Sequence, residues 1–317
     1  MGIVEFLRQI PDIHFTENEN MAERTSLKVG GAARYFVCPD SVYALCRGIS
    51  AAKDAGVKYK IIGNGTNLLV SDKGFDGLIV CTKNLNGLLL DKGEVIALCG
   101  TPLKRFADFV CGTGRTGAEG LAGIPASVGG AIYQNAGAFG FAISDRISEV
   151  TSIKDGKTVK RRKADCRFGY RDSVFKRNGE FIVSAKFKFN KRKAPINEDY
   201  CELRKNSQPS GRTCGSVFLN PDGDFAGRLI ESAGLKGFKI GGAAVSEKHA
   251  NFIITEQGAT ARDVYDLIEK IKNDVYAKFS VTLKEEVEYL GEFYCDSRRI
   301  TIPIPYFHTA RGRYTKT

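Results

Sequence analysis

The chain has 317 residues, 43% of them hydrophobic and 26% charged, enough for a sizeable core and two or three structural units of an ordinary soluble protein. A net charge of +11 calls for an anionic partner: nucleic acid, or a ligand carrying phosphate or carboxylate. Nine scattered cysteines without a CxxC pair, and only three histidines, argue for reduced thiols and against a zinc site.

The first residues, MGIVEFLRQIPDIHF, are too polar for a secretion signal, which predicts a cytoplasmic protein. Residues 1–23 read as a short helix and a polar lead-in. Ser41 is placed to cap an amphipathic helix with Leu45, Ile49 and Ala52 on one face and Gly56 as its stop. Residues 57–62 form a strand that runs into Gly63, Asn64, Gly65, Thr66 and Asn67. Successive amides in such a loop make either an anion-binding concavity or a plain hairpin turn. Short strands follow over 77–81 and 95–99.

Residues 102–114 carry Leu103, Phe106, Ala107 and Val110 at helical spacing. The next six, Gly112 to Gly117, spell GxGxxG. A dinucleotide fingerprint needs a strand before it and a helix after it, so this one reads as a helix end and a turn. Residues 119–140, EGLAGIPASVGGAIYQNAGAFG, hold six glycines and a proline. The uncharged run 120–143 is a poor helix and so a poor membrane span. It reads as a buried loop whose backbone approaches an oxygen-rich ligand.

Residues 145–189 read as a β-meander. Its basic run KDGKTVKRRK is a solvated hairpin turning at Asp155-Gly156, or a nucleic-acid contact without a supporting motif. Arg171, in FGYRDSVF, is either a surface ion-pair partner or a fork for a carboxylate or phosphate. A polar stretch with Pro195 and Pro209, and a helix over 198–205, marks a domain boundary. In the last unit Asp222 or Asp224 starts a helix reaching Gly234. Thr260 caps a long helix to about Phe279, burying Val264, Leu267, Ile268, Ile271 and Val275. Residues 281–290 form a final strand carrying Glu285 and Glu286.

Together and in this order, the stretches TSLKVGGAARYF (25–36), IIGNGTNLLVSDKGFDG (61–77), 119–140, FGYRDSVF (168–175), CGSVFLNP (214–221), AGRLIESAGLKG (226–237), VSEKHANFI (245–253) and LKEEVEYLG (283–291) resemble the UDP-N-acetylenolpyruvoylglucosamine reductases of bacterial cell-wall synthesis, the MurB family. Three departures stand out: Ala126 where the family often has glycine, Leu219 where lysine is common, and a longer tail. The short segment between Arg171 and Ser216 resembles the compact type without the extra aromatic loop.

The resemblance implies an α+β fold. FAD-binding units of the vanillyl-alcohol-oxidase/PCMH type would cover 1–84 and 85–193, a substrate-binding domain 194–291, and an extension 292–317. It implies FAD and NADPH, a UDP-sugar substrate, and neither nucleic-acid binding nor membrane insertion. Flavin contacts fall on Gly63, Asn64, Gly65, Thr66 and Asn67, and on Gly123, Ile124, Pro125, Ser127, Gly129, Gly130 and Ala131. The catalytic positions match Ser216 as proton donor, with Arg171 and Glu286 stabilising an enolic carboxylate. Tyr133, Asn220 and Lys236 are weaker substrate candidates, as are Arg204 and Lys205 for the diphosphate. The alternatives are a sugar or lactone oxidase on the same fold and a basic nucleic-acid-binding protein.

Overall fold

A computed structural model describes residues 2–191 and 199–293. The expected boundary at 193–194 and the tail from residue 294 lie outside the described residues.

The first sheet has the order Ile13–Asn20, Ala32–Pro39, Phe75–Cys81, Tyr59–Ile62. Its first pair is antiparallel and the others parallel. The helix Val42–Asp54 makes the crossover, capped by Ser41, whose hydroxyl accepts from the Ala44 N–H at 3.1 Å. Leu45, Ile49 and Ala52 are buried as the spacing predicts. The polar lead-in is in part a strand. HFTENEN gives no apolar alternation, because Ile13–Asn20 is a largely exposed edge held by ladder bonds to Ala32–Pro39.

The second sheet is antiparallel, in the order Lys157–Arg162, Ile147–Lys154, Phe181–Lys188, Glu94–Leu98, Leu88–Asp91. The basic run is the predicted hairpin, with Asp155 at φ 47° and Gly156 at φ 75°. The helix Leu103–Gly112 buries Leu103, Phe106, Ala107 and Val110 and ends before Gly114, so the GxGxxG is a helix end. One apolar cluster runs from Leu7 through Val80 and Phe106 to Phe187, joining both N-terminal sheets.

The third sheet is also antiparallel, in the order Thr213–Ser216, Phe252–Thr255, Ala243–Val245, Lys239–Ile240. The helix Ala261–Phe279 lies against it with Val264, Leu267, Ile268, Ile271 and Val275 buried. Thr260 and Asp263 cap it reciprocally, each side chain accepting the other's N–H at 3.0 Å. The expected strand over 281–290 is shorter. Only Glu288–Leu290 is regular, and it pairs in parallel with Leu68–Val70 of the first unit. Neither Asp222 nor Asp224 caps the helix Ala226–Ser232; Asn220 Oδ1 accepts the Ala226 N–H at 3.1 Å instead.

The C-terminal unit is also fastened to the first by Asp72. Its carboxylate accepts the N–H groups of Ala261 at 2.8 Å and Arg262 at 2.9 Å, at the positive end of the long helix. Asp72→Ala is expected to cost about 1 kcal/mol in urea unfolding, the scale of a lost helix cap. No change in the unfolding midpoint would mean that water replaces the carboxylate without loss. Among the described residues no helix is long and apolar enough to cross a membrane.

Candidate active site

The two loops predicted to face a flavin meet at the end of the first sheet. Asn64 Nδ2 donates to the Pro125 carbonyl at 3.2 Å. A side chain on Gly63 would collide with the Ser127 hydroxyl, so glycine there lets the loops touch. Gly65 has φ 66°, and a Cβ on it would strike the Arg24 carbonyl. Among the described residues nothing accepts the backbone N–H groups of Asn64, Gly65 and Thr66, nor those of Gly123 and Ala126. Two short rows of unpaired amides therefore sit side by side, as an oxygen-rich anionic ligand requires.

Gly65→Ala is expected to weaken this cradle, because the left-handed backbone alone costs an L-residue about 1–2 kcal/mol. Flavin absorbance per protein after purification measures it. A wild-type ratio would show that the loop does not need this conformation.

The Gly-rich run is only partly a loop. Val128–Gln134 is a helix, which Ser127 caps by accepting the Gly130 N–H at 3.2 Å. The Gly129 N–H donates to the Cys99 carbonyl at 2.7 Å, and Ala131 N–H to the Ser127 carbonyl at 2.8 Å. A Cβ on Gly129 would lie 2.8 Å from Cys99 Cβ. Glycine at 129 thus serves helix-to-strand packing, and these amides are already paired. Ala126 has an ordinary negative φ and packs against the core, so its methyl fits. Ile124 is half-buried against the same core.

Arg204, on the helix Tyr200–Ser207, crosses Gly123, where a Cβ would lie 2.6 Å from its Nε. Its Nε and Nη2 are buried without a hydrogen-bond partner among the described residues. Burial and the nearby Arg171 charge pull its pKa down. A guanidinium in that state favours an anionic ligand.

Arg171 and Glu286 come from distant segments and bond to each other, and Glu286 is tied to the residue after Ser216. Arg171 Nε donates to Glu286 Oε1 at 2.7 Å and Nη2 to the Gly137 carbonyl at 3.1 Å. The Glu286 N–H donates to the Val217 carbonyl at 2.7 Å, one residue beyond Ser216. Asn251 clamps the same stretch, its Oδ1 accepting the Phe218 N–H at 2.9 Å and its Nδ2 donating to the Phe218 carbonyl at 2.8 Å. The Ser216 hydroxyl has no hydrogen-bond partner among the described residues, so it is available to a ligand.

Burial pushes the Glu286 carboxyl up, against the opposing pull of Arg171 and Lys176. The Asn67 side chain donates to the Glu286 carbonyl at 3.0 Å, and the Asn67 carbonyl accepts the Glu288 N–H at 3.1 Å. Asn67, predicted for the flavin, thus also holds the segment Glu286–Glu288.

The weaker candidates have protein partners. Lys236 pairs with Glu231 at 2.8 Å, and Asn220 Oδ1 accepts the Ala226 N–H. The Tyr133 ring lies 5.9 Å from Lys60 Nζ and 5.7 Å from Lys176 Nζ, and burial raises its phenol pKa. Lys205 pairs with Glu202 on the exposed helix face. Leu219 donates its N–H to the Lys284 carbonyl at 2.8 Å. Asn251 escaped the sequence reading; its signal is a polar residue inside the apolar run HANFI.

Residues 33–161 match the family model for an FAD binding domain, and residues 207–290 that for the C-terminal domain of UDP-N-acetylenolpyruvoylglucosamine reductase. A UDP-N-acetylenolpyruvoylglucosamine reductase of Caldicellulosiruptor bescii is 40% identical over 289 residues, 89% of this chain and 92% of the relative. One of Carboxydothermus hydrogenoformans is 44% identical over 283 residues, 87% of this chain and 94% of the relative. The crystal structure of the reductase MurB from Thermus caldophilus matches with a TM-score of 0.74 and 30% identity, over 88% of this chain and 99% of that one. The fold is the predicted α+β FAD-binding type with a reductase C-terminal domain, and the cofactor is FAD. With these relatives matched over nearly their full length, the chain belongs to the UDP-N-acetylenolpyruvoylglucosamine reductase family.

Proposed function

We propose how this chain's residues carry out the family's reaction, the reduction of the enolpyruvyl group of UDP-N-acetylglucosamine enolpyruvate to UDP-N-acetylmuramate for peptidoglycan synthesis. FAD, when bound, supplies the hydride relay from NADPH to the enolpyruvyl double bond. The unpaired amides of Asn64, Gly65 and Thr66 suit the cofactor's pyrophosphate, and the Gly123 to Ser127 segment suits its ring system.

Hydride addition at C3 leaves an enolate-like centre at C2, beside the substrate carboxylate. The Ser216 hydroxyl gives its proton to C2. Arg171 stabilises the charge gathering on the enolic carboxylate, and Glu286 donates a hydrogen bond to it as the neutral acid. Burial favours that neutral form. A substrate carboxylate entering beside Arg171 would compete with Glu286 for the guanidinium and add negative charge, a second push toward protonation. The observation that carries this reading is the contact of Arg171 with Glu286, one peptide from the free Ser216 hydroxyl.

We assign residues 1–84 and 85–193 to cofactor binding and 194–291 to the substrate. We place the reaction in the cytoplasm, with the UDP-sugar and NADPH as the chain's partners and no role for nucleic acid. Arg204, whose Nη1 donates to Gln208 Oε1 at 2.8 Å while Nε and Nη2 are unpaired among the described residues, suits an anionic group of either ligand. The test is anaerobic spectroscopy of the purified holoprotein. Its yellow colour should bleach with NADPH and return on adding the enolpyruvyl sugar nucleotide. Recovery with oxygen alone would favour a sugar or lactone oxidase.

A further inference from the structure

Lys176 sits among three carboxylates and pairs with none of them. Asp172 is taken by Arg177 at 2.6 Å, Glu288 by Lys60 at 2.6 Å, and Glu286 by Arg171 at 2.7 Å. Gln134 Nε2 takes the other Glu288 oxygen at 3.1 Å. Burial lowers the Lys176 pKa, while Glu288, Asp172 and Glu286 hold it up from a distance. The ammonium instead donates to the backbone carbonyl of Arg171 at 2.8 Å and lies 5.7 Å from the centre of the Tyr133 ring. A half-buried charge with no counter-ion of its own among the described residues is costly, so its position calls for a task other than pairing.

That carbonyl belongs to a strained residue. Arg171 has φ 52°, in the left-handed region that a non-glycine residue avoids. Its turn is fixed from several sides. Gly169 and Asp172 exchange backbone hydrogen bonds at 3.0 and 3.3 Å, and Asn135 Nδ2 donates to the Gly169 carbonyl at 2.7 Å. Ser173 Oγ donates to the Tyr133 carbonyl at 2.7 Å. Lys176 holds the carbonyl of the Arg171–Asp172 peptide from the far side, so its loss leaves that peptide only the 3.3 Å bond from the Asp172 N–H to Gly169.

We propose that Lys176 is a positioning residue for the reduction: its ammonium, bonded to the Arg171 carbonyl, holds Arg171 in the turn that faces Glu286. This rests on the roles given above to Arg171 and Glu286. The charged or titratable groups that act on or feel Glu286 are Arg171 from its turn, Lys176 from the 3-10 turn Val174–Lys176, and Cys214 from the strand Thr213–Ser216. Of these, Arg171 and Lys176 oppose protonation. Without Lys176, Glu286 keeps its proton to higher pH, and the Arg171 fork loses its fixed bearing.

The experiment titrates the Glu286 carboxyl by carbon-13 NMR of the FAD-loaded protein, its resonance identified by E286Q. Lys176→Arg keeps charge and donor and should titrate as wild type. Lys176→Gln keeps a donor without the charge, so its Glu286 should titrate at higher pH. Lys176→Met loses both, and the substrate-dependent half-reaction should slow about tenfold, more than in the glutamine variant; misplacement by 1 Å can cost about 10²-fold. Flavin content and thermal midpoint serve as folding controls, and the Arg and Gln pair decides the matter should the Met variant not fold. A wild-type substrate-dependent rate in folded Lys176→Met, or identical Glu286 titration in wild type, Lys176→Arg and Lys176→Gln, would overturn the proposal. Full activity of E286Q would instead remove the role of Glu286, while the titration still reports what Lys176 does to it.

Discussion

Ser216→Ala is expected to slow the substrate-dependent half-reaction by about 10²–10⁴, the usual contribution of a positioned proton donor, with flavin reduction by NADPH near the wild-type rate. The hydroxyl is the right group to remove. It has no hydrogen-bond partner among the described residues, so its loss leaves no buried polar atom stranded. The backbone around it is held by Asn251 and by the Glu286 N–H, neither of which touches the Ser216 side chain. Rapid-mixing measurements of each half-reaction separate the two outcomes. Equal slowing of both would sink the proton-donor role and make Ser216 a structural residue of the bulged strand.

Arg171→Met is expected to cost about 10²–10³ in the same half-reaction, as for a lost oxyanion donor. It also changes the pH dependence of stability. Burial already raises the Glu286 pKa in the folded protein, and Arg171 opposes that rise. An acid with a raised folded pKa binds more protons folded than unfolded, so stability falls as pH rises above the unfolded value. Removing Arg171 deepens this fall. Urea midpoints should show the variant's deficit against wild type growing from about pH 5 toward pH 8. Adding Glu286→Gln should remove the pH-dependent part. A deficit flat in pH would mean that the ion pair contributes nothing to the folded state.

Local signals were legible in the sequence. Ser41, Thr260 and Asp155-Gly156 each specify their own neighbourhood through a side-chain cap or a left-handed turn, and each stands where it was predicted. Signals that depend on distant partners were not. Ile13–Asn20 is a strand because Ala32–Pro39 lies beside it, and only Glu288–Leu290 of the last strand finds a parallel partner. The glycines of Val128–Gln134 argue against a helix, yet Gly129 is what lets the helix meet Cys99.

The site followed the same division. Arg171, Ser216 and Glu286 could be named by resemblance, but their meeting depends on the last segment crossing back to the first unit. The work of Asn67, Lys176 and Asn251 is invisible in one dimension, because each acts on the backbone of a residue far away or around a turn.

The clip at Asn67 has a thermodynamic corollary. One asparagine belongs to the loop offered to the cofactor and, by both its side chain and its carbonyl, to the segment Glu286–Glu288. If the cofactor binds this loop as proposed, ordering the loop also orders that segment, and part of the binding free energy is then shared with the docking of the C-terminal unit. By linkage the dependence runs both ways: a chain whose last strand has not closed onto Leu68–Val70 holds its cofactor less tightly. Cofactor retention then reports on the closure of the whole chain, and a polypeptide truncated before Glu288 would shed the group it needs for chemistry.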